Sequence, residues 1–446
     1  MTEIKIWQWV LVIASSLVLL WLSPLAKNTN QFFKAQHKRK TPNTFMLTGS
    51  LVISWLFAKS ITNAANLGLD YGVVGGVAYA GYYVSFAVAG VVIYNMRTLG
   101  NFKSIHHFLT SKFGQGAVTV FSILIAIRLF NEVWSNTMVI GSYFGDMGSS
   151  AYYWSILVFT FLTLAYVLKG GMASSIFTDV IQMGLFSVLL LVILGSIFSA
   201  ESSFTAHDVA SSGSWSFEMG LNLLFAAVLQ SLSYPFHDPV LTDRGFLSSP
   251  KITLKSFLWA SVIGALCIVL FSLVGVYAQT KGMQGQAAVE VGKAFGIVIL
   301  LVINLIMITS AASTLDSTFS SFSKLLSVDL KMGDSIKFGR WSMVLIAIIG
   351  TIPVFLDAEI LSATTISGTM VIGLTPVFIF WKKDAPKISF HLSVFCGIIF
   401  GFLLVFNLFP GSLIFTNGKY SDLLWINFWG IISCVMFYFM PIWIKK

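Results

Sequence analysis

The sequence predicts an all-α integral membrane protein of about 13 transmembrane helices, and three observations lead there. The first is composition. Of 446 residues, 56% are hydrophobic and 10% charged, whereas a soluble chain carries about 25% charged residues. Too few charges are present to cover a water-facing surface, so lipid must be the solvent for much of the chain. The second is the form of the apolar runs. ILVFTFLTLAYVL at 156–168 and FGIVILLVINLIMI at 295–308 are long and unbroken. In lipid every backbone N–H and C=O must be bonded internally, which leaves helices or a closed barrel. A barrel would alternate apolar and polar residues in segments of roughly 10; these runs do not, and a helix needs about 20 residues to cross.

The third observation is the distribution of positive charge. Thirteen segments read as spans: 6–25, 44–69, 73–95, 117–144, 151–168, 172–199, 216–237, 253–278, 293–323, 338–356, 359–381, 388–409 and 423–443. With the N-terminus outside, the outer loops hold only Lys5, Lys281, Lys293 and Lys419, and Lys59 and Arg128 fall within spans. The other 21 of the 27 Lys and Arg residues lie on the inner side. That asymmetry is the positive-inside rule. It accounts for the net charge of +9 without nucleic acid, and it places the C-terminus in the cytoplasm of a multi-pass protein of the cell (inner) membrane.

The chain reads as a single transmembrane domain over 1–446. Its longest connection, 26–43, is a short basic loop, and 200–215 is polar with two acids and no Lys or Arg. Segment 6–25 reads as a retained helix, because a small-x-small cleavage site followed by a polar mature domain is absent. Cys267, Cys396 and Cys434 all sit in apolar runs and show no disulfide framework. No G-x-x-x-x-G-K-[ST] pattern occurs, and no catalytic triad or metal cluster is visible. Neither ATP drive, nor an enzyme, nor a cofactor is therefore expected.

Function is sought where polarity is expensive. A charge near the centre of a bilayer costs roughly 3 kcal/mol or more, yet Lys59, Arg128, Glu132, Asp179 and Asp316 fall inside spans. Around Lys59 the second span turns from an apolar helix into AKSITNAAN. Clustered Ser, Thr and Asn compete for helical hydrogen bonds, so a break is expected there, with freed carbonyls of the kind transporters use for ions. In the ninth span Ser310, Ser313, Thr314 and Ser317 recur at three- and four-residue spacing, with Asp316 beside them. Hydroxyls sharing one helix face with a carboxylate suit a hard cation. The bland alternative is that these small residues merely pack or glue helices.

Together these pieces resemble the solute:sodium symporter family, which includes sodium/proline, sodium/sialic acid and sodium/glucose transporters. Gly170-Gly171-Met172-Ala173 with Thr178-Asp179 and Gln182 is similar to the family's GG-x-A…TD-x-x-Q pattern. Ser313-Thr314-Leu315-Asp316-Ser317, followed by Asp329, resembles its hydroxyl-rich eighth core helix. Pro239 with Arg244 and Phe246 resembles the P-x-x-x-x-R-F pattern after the sixth core helix, with one residue inserted, and Pro376 with Phe380-Trp381-Lys382-Lys383 resembles the end of the tenth.

The resemblance implies a LeuT-type fold, with two inverted repeats of five helices at 44–199 and 216–381. Segment 6–25 precedes them, two helices follow at 388–443, and the first helix of each half is broken. It also implies symport of a small solute, with sodium as the coupling ion. The shared sodium site would use carbonyls of Ala58 and Ile61 with Ser310, Ser313 and Thr314. A second would use Asp179, Ser313, Asp316 and Ser317. Solute contacts are expected at Lys59, Ser60, Thr62 and Glu132, with Arg128 one turn before Glu132. Asp316 and Lys59 depart from the family pattern. They either pair with each other, or Lys59 joins Glu132 in lining the solute cavity, where the two pair or hold the two ends of a zwitterionic or acidic solute. A proton-coupled or uncoupled transporter of the same fold, or a membrane solute sensor, remains open.

Overall fold

The computed structural model describes residues 2–36, 41–200, 204–356 and 368–444, and every regular element among them is helical. The principal helices are α1 (Thr2–Leu22), α2 (Thr44–Trp55), α3 (Ala58–Tyr71), α4 (Val73–Thr98), α5 (Gln115–Phe144), α6 (Ser150–Gly170), α7 (Met172–Ala200), α8 (Leu221–Gln230) and α9 (Pro239–Arg244). They continue with α10 (Pro250–Thr280), α11 (Ile297–Lys324), α12 (Ile336–Thr351), α13 (Leu374–Ile379), α14 (Lys387–Val405) and α15 (Ser421–Ile444). Among the described residues ten helices are long and apolar enough to cross a bilayer, and α2 with α3 makes an eleventh span bent by 66°. The start of the expected span at 359–381 lies outside the described residues, and the rest, residues 368–381 with α13, is seen.

The second span breaks, but not where its sequence suggests. AKSITNAAN is helical from its first residue, and the interruption falls just ahead of it at Leu56 and Phe57. The last turn of α2 closes with the Leu56 N–H on the Val52 carbonyl, and α3 opens with the Ile61 N–H on Phe57. Two features are compatible with a helical AKSITNAAN. Thr62 turns its hydroxyl back onto the Ala58 carbonyl (3.1 Å), a bond made within the helix rather than against it. The small residues then serve packing. A Cβ on Gly68 would strike the Ser272 carbonyl, and one on Gly275 the Ala65 carbonyl, so α3 and α10 cross at backbone contact, as small residues allow in membranes.

The expected span at 216–237 is interrupted too. α8 stops at Gln230, a short 3-10 turn covers Tyr234–Phe236, and α9 begins at Pro239. Pro235 and Pro239 carry no N–H to continue a helical ladder. Asp238 caps α9 instead, accepting from Val240 N–H (3.0 Å) and Leu241 N–H (3.4 Å).

The chain forms two compact units. The first comprises Met1–Tyr79, Leu129–Ser214 and Ile263–Ala358; the second comprises Ala80–Arg128, Trp215–Val262 and Glu359–Lys446. Each takes segments from both expected halves of the chain. In the first unit α11 is the innermost element, with every residue from Ile306 to Ser323 buried. It packs against α7, α6, α2, α3 and α12.

Candidate cation and solute sites

Two polar clusters lie within the first unit. The first joins α2, α6, α7 and α11 and is dry. Asp179 on α7 is fully buried and accepts hydrogen bonds from Ser50 (2.5 Å), Ser313 (2.5 Å) and, more weakly, Ser54 (3.4 Å). Asp316 on α11, also fully buried, accepts from Tyr166 (2.8 Å), Ser175 (2.8 Å), Thr178 (2.9 Å) and Ser317 (3.3 Å). Ser317 joins the two acids, with its hydroxyl 3.2 Å from that of Ser54 and 3.1 Å from that of Ser175. A buried carboxylate is tolerated when charge-assisted hydrogen bonds replace its water, and these hydroxyls supply them.

Asp179, Ser313, Asp316 and Ser317 are thus brought into one network. Asp316 binds hydroxyls rather than Lys59, so the expected pairing of those two departures is not the one the fold makes. Of the other expected sodium ligands, Thr314 gives its hydroxyl to the Ser310 carbonyl (3.0 Å). The Ser310 hydroxyl is fully buried and has no hydrogen-bond partner among the described residues. Ala58 and Ile61 fall in the first turn of α3, inside the helical ladder. The carbonyls that the break releases are instead those of the last turn of α2, residues 53–56. Ser50, Ser54, Tyr166 and Ser175 were not singled out by the sequence. Ser50 and Ser54, at i and i+4 in SLVISW, are the signal that could have found them.

The second cluster is wet. On α3, Lys59, Thr62 and Asn66 are half-buried, while Asn63 and Asp70 are exposed. These positions share one face of the helix, and that face is accessible although Ala58, Ile61, Ala64, Ala65 and Leu67 opposite it are buried. A polar face of this kind is not sustained against hydrocarbon; it fronts water.

At its base the Lys59 ammonium lies 3.1 Å from Glu132 Oε1 and 3.2 Å from the Ser135 hydroxyl, over the Phe57 ring at 5.1 Å. The Glu132 side chain is only 4% exposed and that of Lys59 14%. Asn136, one turn on, donates to Glu132 Oε2 (2.9 Å) and to the Glu132 carbonyl (2.9 Å). Ser60 accepts from the Tyr79 hydroxyl (3.1 Å). Thr62 faces the Tyr143 hydroxyl on α5. Lys59, Thr62 and Glu132 therefore lie along one α3–α5 seam, with Ser135, Asn136 and Tyr143 added by the fold, while Ser60 turns to Tyr79 on α4.

Arg128 takes another route. It belongs to the second unit, where Nη2 donates to Asp238 (3.2 Å) and the guanidinium lies over Tyr234 at 5.0 Å. Its charge secures the residue that caps α9 after the break, so sharing a helix face with Glu132 did not make it a partner of that site.

No family model matches this sequence, and no curated protein is detectably similar to it. Solved structures are. One is a sodium-coupled sialic acid symporter in a substrate-bound, outward-open state, with TM-score 0.76 and 16% identity, covering 98% of this chain and 96% of that one. Another is Mhp1, a nucleobase-cation-symport-1 family transporter, closed around bromovinylhydantoin, with TM-score 0.59 and 10% identity, covering 94% and 96%. Mhp1 in its inward-facing conformation gives 0.56 and 12%, covering 95% of each chain. At these identities the likeness is one of fold, and this chain is a multi-pass membrane protein with the LeuT-type fold of those transporters.

Proposed function

We propose that this protein is a sodium-coupled symporter that carries a small solute by alternating access. The observation that carries the reading is the accessible polar face of α3, ending on the buried Lys59–Glu132 pair. Solute would bind along that seam. Sodium would bind nearby on α11, where the Ser310 hydroxyl has an unused lone pair beside Ser313 and Thr314, completed by carbonyls at the α2–α3 break. Ala58 and Ile61 are the carbonyls carried over from the family pattern, and those of residues 53–56 are the ones a break exposes.

A second ion would use Asp179, Ser313, Asp316 and Ser317, whose oxygens are the hard ligands sodium requires. Each sodium moving down a 100 mV potential supplies about 2.3 kcal/mol, roughly a fifty-fold concentration ratio. The related structures support this reading: one is described as a sodium-coupled symporter with a sodium site. Segments 44–199 and 216–381 would be the inverted repeats. The N-terminus would lie outside the cell membrane, so a thiol reagent applied from outside should label a cysteine at position 205 and not one at 35.

The test is uptake into proteoliposomes of labelled sialic acid, proline, glucose and hydantoin, each under an inward sodium gradient and under an equal potassium gradient. Accumulation of one of them with sodium alone is expected. Accumulation indifferent to sodium would instead favour uncoupled transport, with the Lys59 ammonium standing in for an ion.

A further inference from the structure

The seam between α3 and α5 has its charges already matched, whereas two of its neutral atoms, Asn136 Oδ1 and the Tyr143 hydroxyl, are not. Lys59 and Glu132 neutralise one another at 3.1 Å, and each is held again, Lys59 by Ser135 and Glu132 by Asn136. Beyond that pair the accessible residues before the last turn of α3 are Thr62, Asn63 and Asn66, all uncharged.

Along the face of α5 that runs on from Glu132, two buried polar atoms have no hydrogen-bond partner among the described residues. One is Asn136 Oδ1, on a residue with no exposed surface; the other is the Tyr143 hydroxyl. The orientation of Asn136 is fixed, because its nitrogen donates to two acceptors, the Glu132 carbonyl and Oε2, and this leaves the oxygen as the unfilled atom. Glu132, Asn136 and Tyr143 fall at i, i+4 and i+11, a single stripe of the helix. The Tyr143 hydroxyl is aimed at Thr62 without completing a hydrogen bond. Its backbone is fixed from behind, where Gln8 of α1 donates to the Tyr143 carbonyl (3.1 Å).

Buried polar atoms without partners are rare in a settled interior. Here an acceptor and a hydroxyl lie in one row beside a water-accessible face. An acidic solute could take Lys59 only by leaving Glu132 buried without its countercharge, and a cationic solute would strand Lys59 in the same way. A zwitterion would have to break the pair and rebuild both halves. A neutral molecule with its own O–H or N–H groups requires none of this and fills both vacant positions.

We infer that the solute of this site is uncharged, carrying both hydrogen-bond donors and acceptors, and that Asn136 and Tyr143 are two of its contacts. This rests on the solute site proposed above and narrows it. The experiment is a thermal-shift titration of the purified full-length protein in sodium chloride. The probes are myo-inositol, glucose and hydantoin (uncharged), proline (zwitterionic), sialic acid (acidic) and choline (cationic).

Stabilisation by an uncharged probe and by none of the charged ones is expected. Tyr143→Phe, which keeps the ring, should weaken that probe about tenfold, the effect of one lost hydrogen bond to a buried group. Asn136→Leu should weaken it at least as much, and the shift produced by sodium alone should persist in the Tyr143→Phe variant. Preferential stabilisation by proline, sialic acid or choline overturns the inference. So does stabilisation by no uncharged probe, or an unchanged affinity in Tyr143→Phe. A wild-type protein that responds to an uncharged probe but not to sodium would instead sink the coupling proposal and leave this inference standing.

Discussion

The two polar clusters of the first unit differ chiefly in their access to water. Around Asp179 and Asp316 every ligand but Tyr166 is a short side chain, all are buried, and the carboxylates are satisfied by serine, threonine and tyrosine hydroxyls. Around Lys59 and Glu132 the side chains are longer, one charge opposes another, and the face of α3 is open. Short oxygen ligands in a dry setting suit a bare ion, which exchanges its hydration shell for fixed oxygens. An accessible seam with mixed donors and acceptors suits a solute that arrives through water. Both clusters meet the break at Leu56 and Phe57: Ser50 and Ser54 approach from one side of it, and Lys59, Ser60 and Thr62 leave from the other. A bend at that point would link occupancy of one cluster to the geometry of the other.

The largest effect should come from the dry cluster. Replacing Ser313 and Thr314 together with Ala should abolish both sodium-dependent thermal stabilisation and sodium-driven uptake, since no neighbouring oxygen can move into their places. Sodium dependence that survives in the double variant would dissolve the distinction between the clusters.

Next is the wet cluster. Lys59→Met leaves Glu132 buried without its partner and should cost about 3–5 kcal/mol in unfolding experiments. Adding Glu132→Gln should recover most of that loss. Adding Asp316→Ser should recover none, because Asp316 bonds hydroxyls and not Lys59. Recovery by Asp316→Ser would join the two clusters into one ion-pair system.

A smaller loss, roughly 1–3 kcal/mol, is expected for Gly275→Ala, whose Cβ meets the Ala65 carbonyl where α10 crosses α3. If α3 is the shared scaffold of the solute seam, solute binding should fall with stability while sodium stabilisation stays. The smallest effect is expected for Tyr79→Phe, which removes the 3.1 Å bond to Ser60 at a cost of about 1 kcal/mol. Solute titrations should register that change, and sodium titrations should not.

Much of this was legible in the sequence because lipid leaves the chain few choices. Apolar run length marks the spans, and the rare polar residues inside them mark the clusters. Asp179, Ser313, Asp316 and Ser317 were readable as a group because hydroxyls at three- and four-residue spacing share a helix face, and the family pattern supplied Asp179. What stayed hidden depends on three-dimensional partnering. Nothing in the spacing of Tyr166 or Ser175 says that each will reach Asp316, and nothing about Tyr143 sets it apart from other tyrosines near helix ends. The break was misplaced by a few residues for a related reason. Ser and Thr can unwind a helix or bond within it, and beside the close crossing at Gly68 and Gly275 Thr62 bonds within it. Arg128 shows the same limit: sharing a helix face with Glu132 did not determine which of two breaks its charge would serve.

The separation of roles can be tested by equilibrium binding of radioactive sodium to the purified protein in the absence of any solute. Saturable binding is expected in the wild type and in Lys59→Met/Glu132→Gln, and none at the shared site in Ser313→Ala/Thr314→Ala. Undiminished binding in that last variant, or loss of binding in the Lys59/Glu132 variant alone, would contradict the assignment of the ion to the dry cluster and the solute to the wet one.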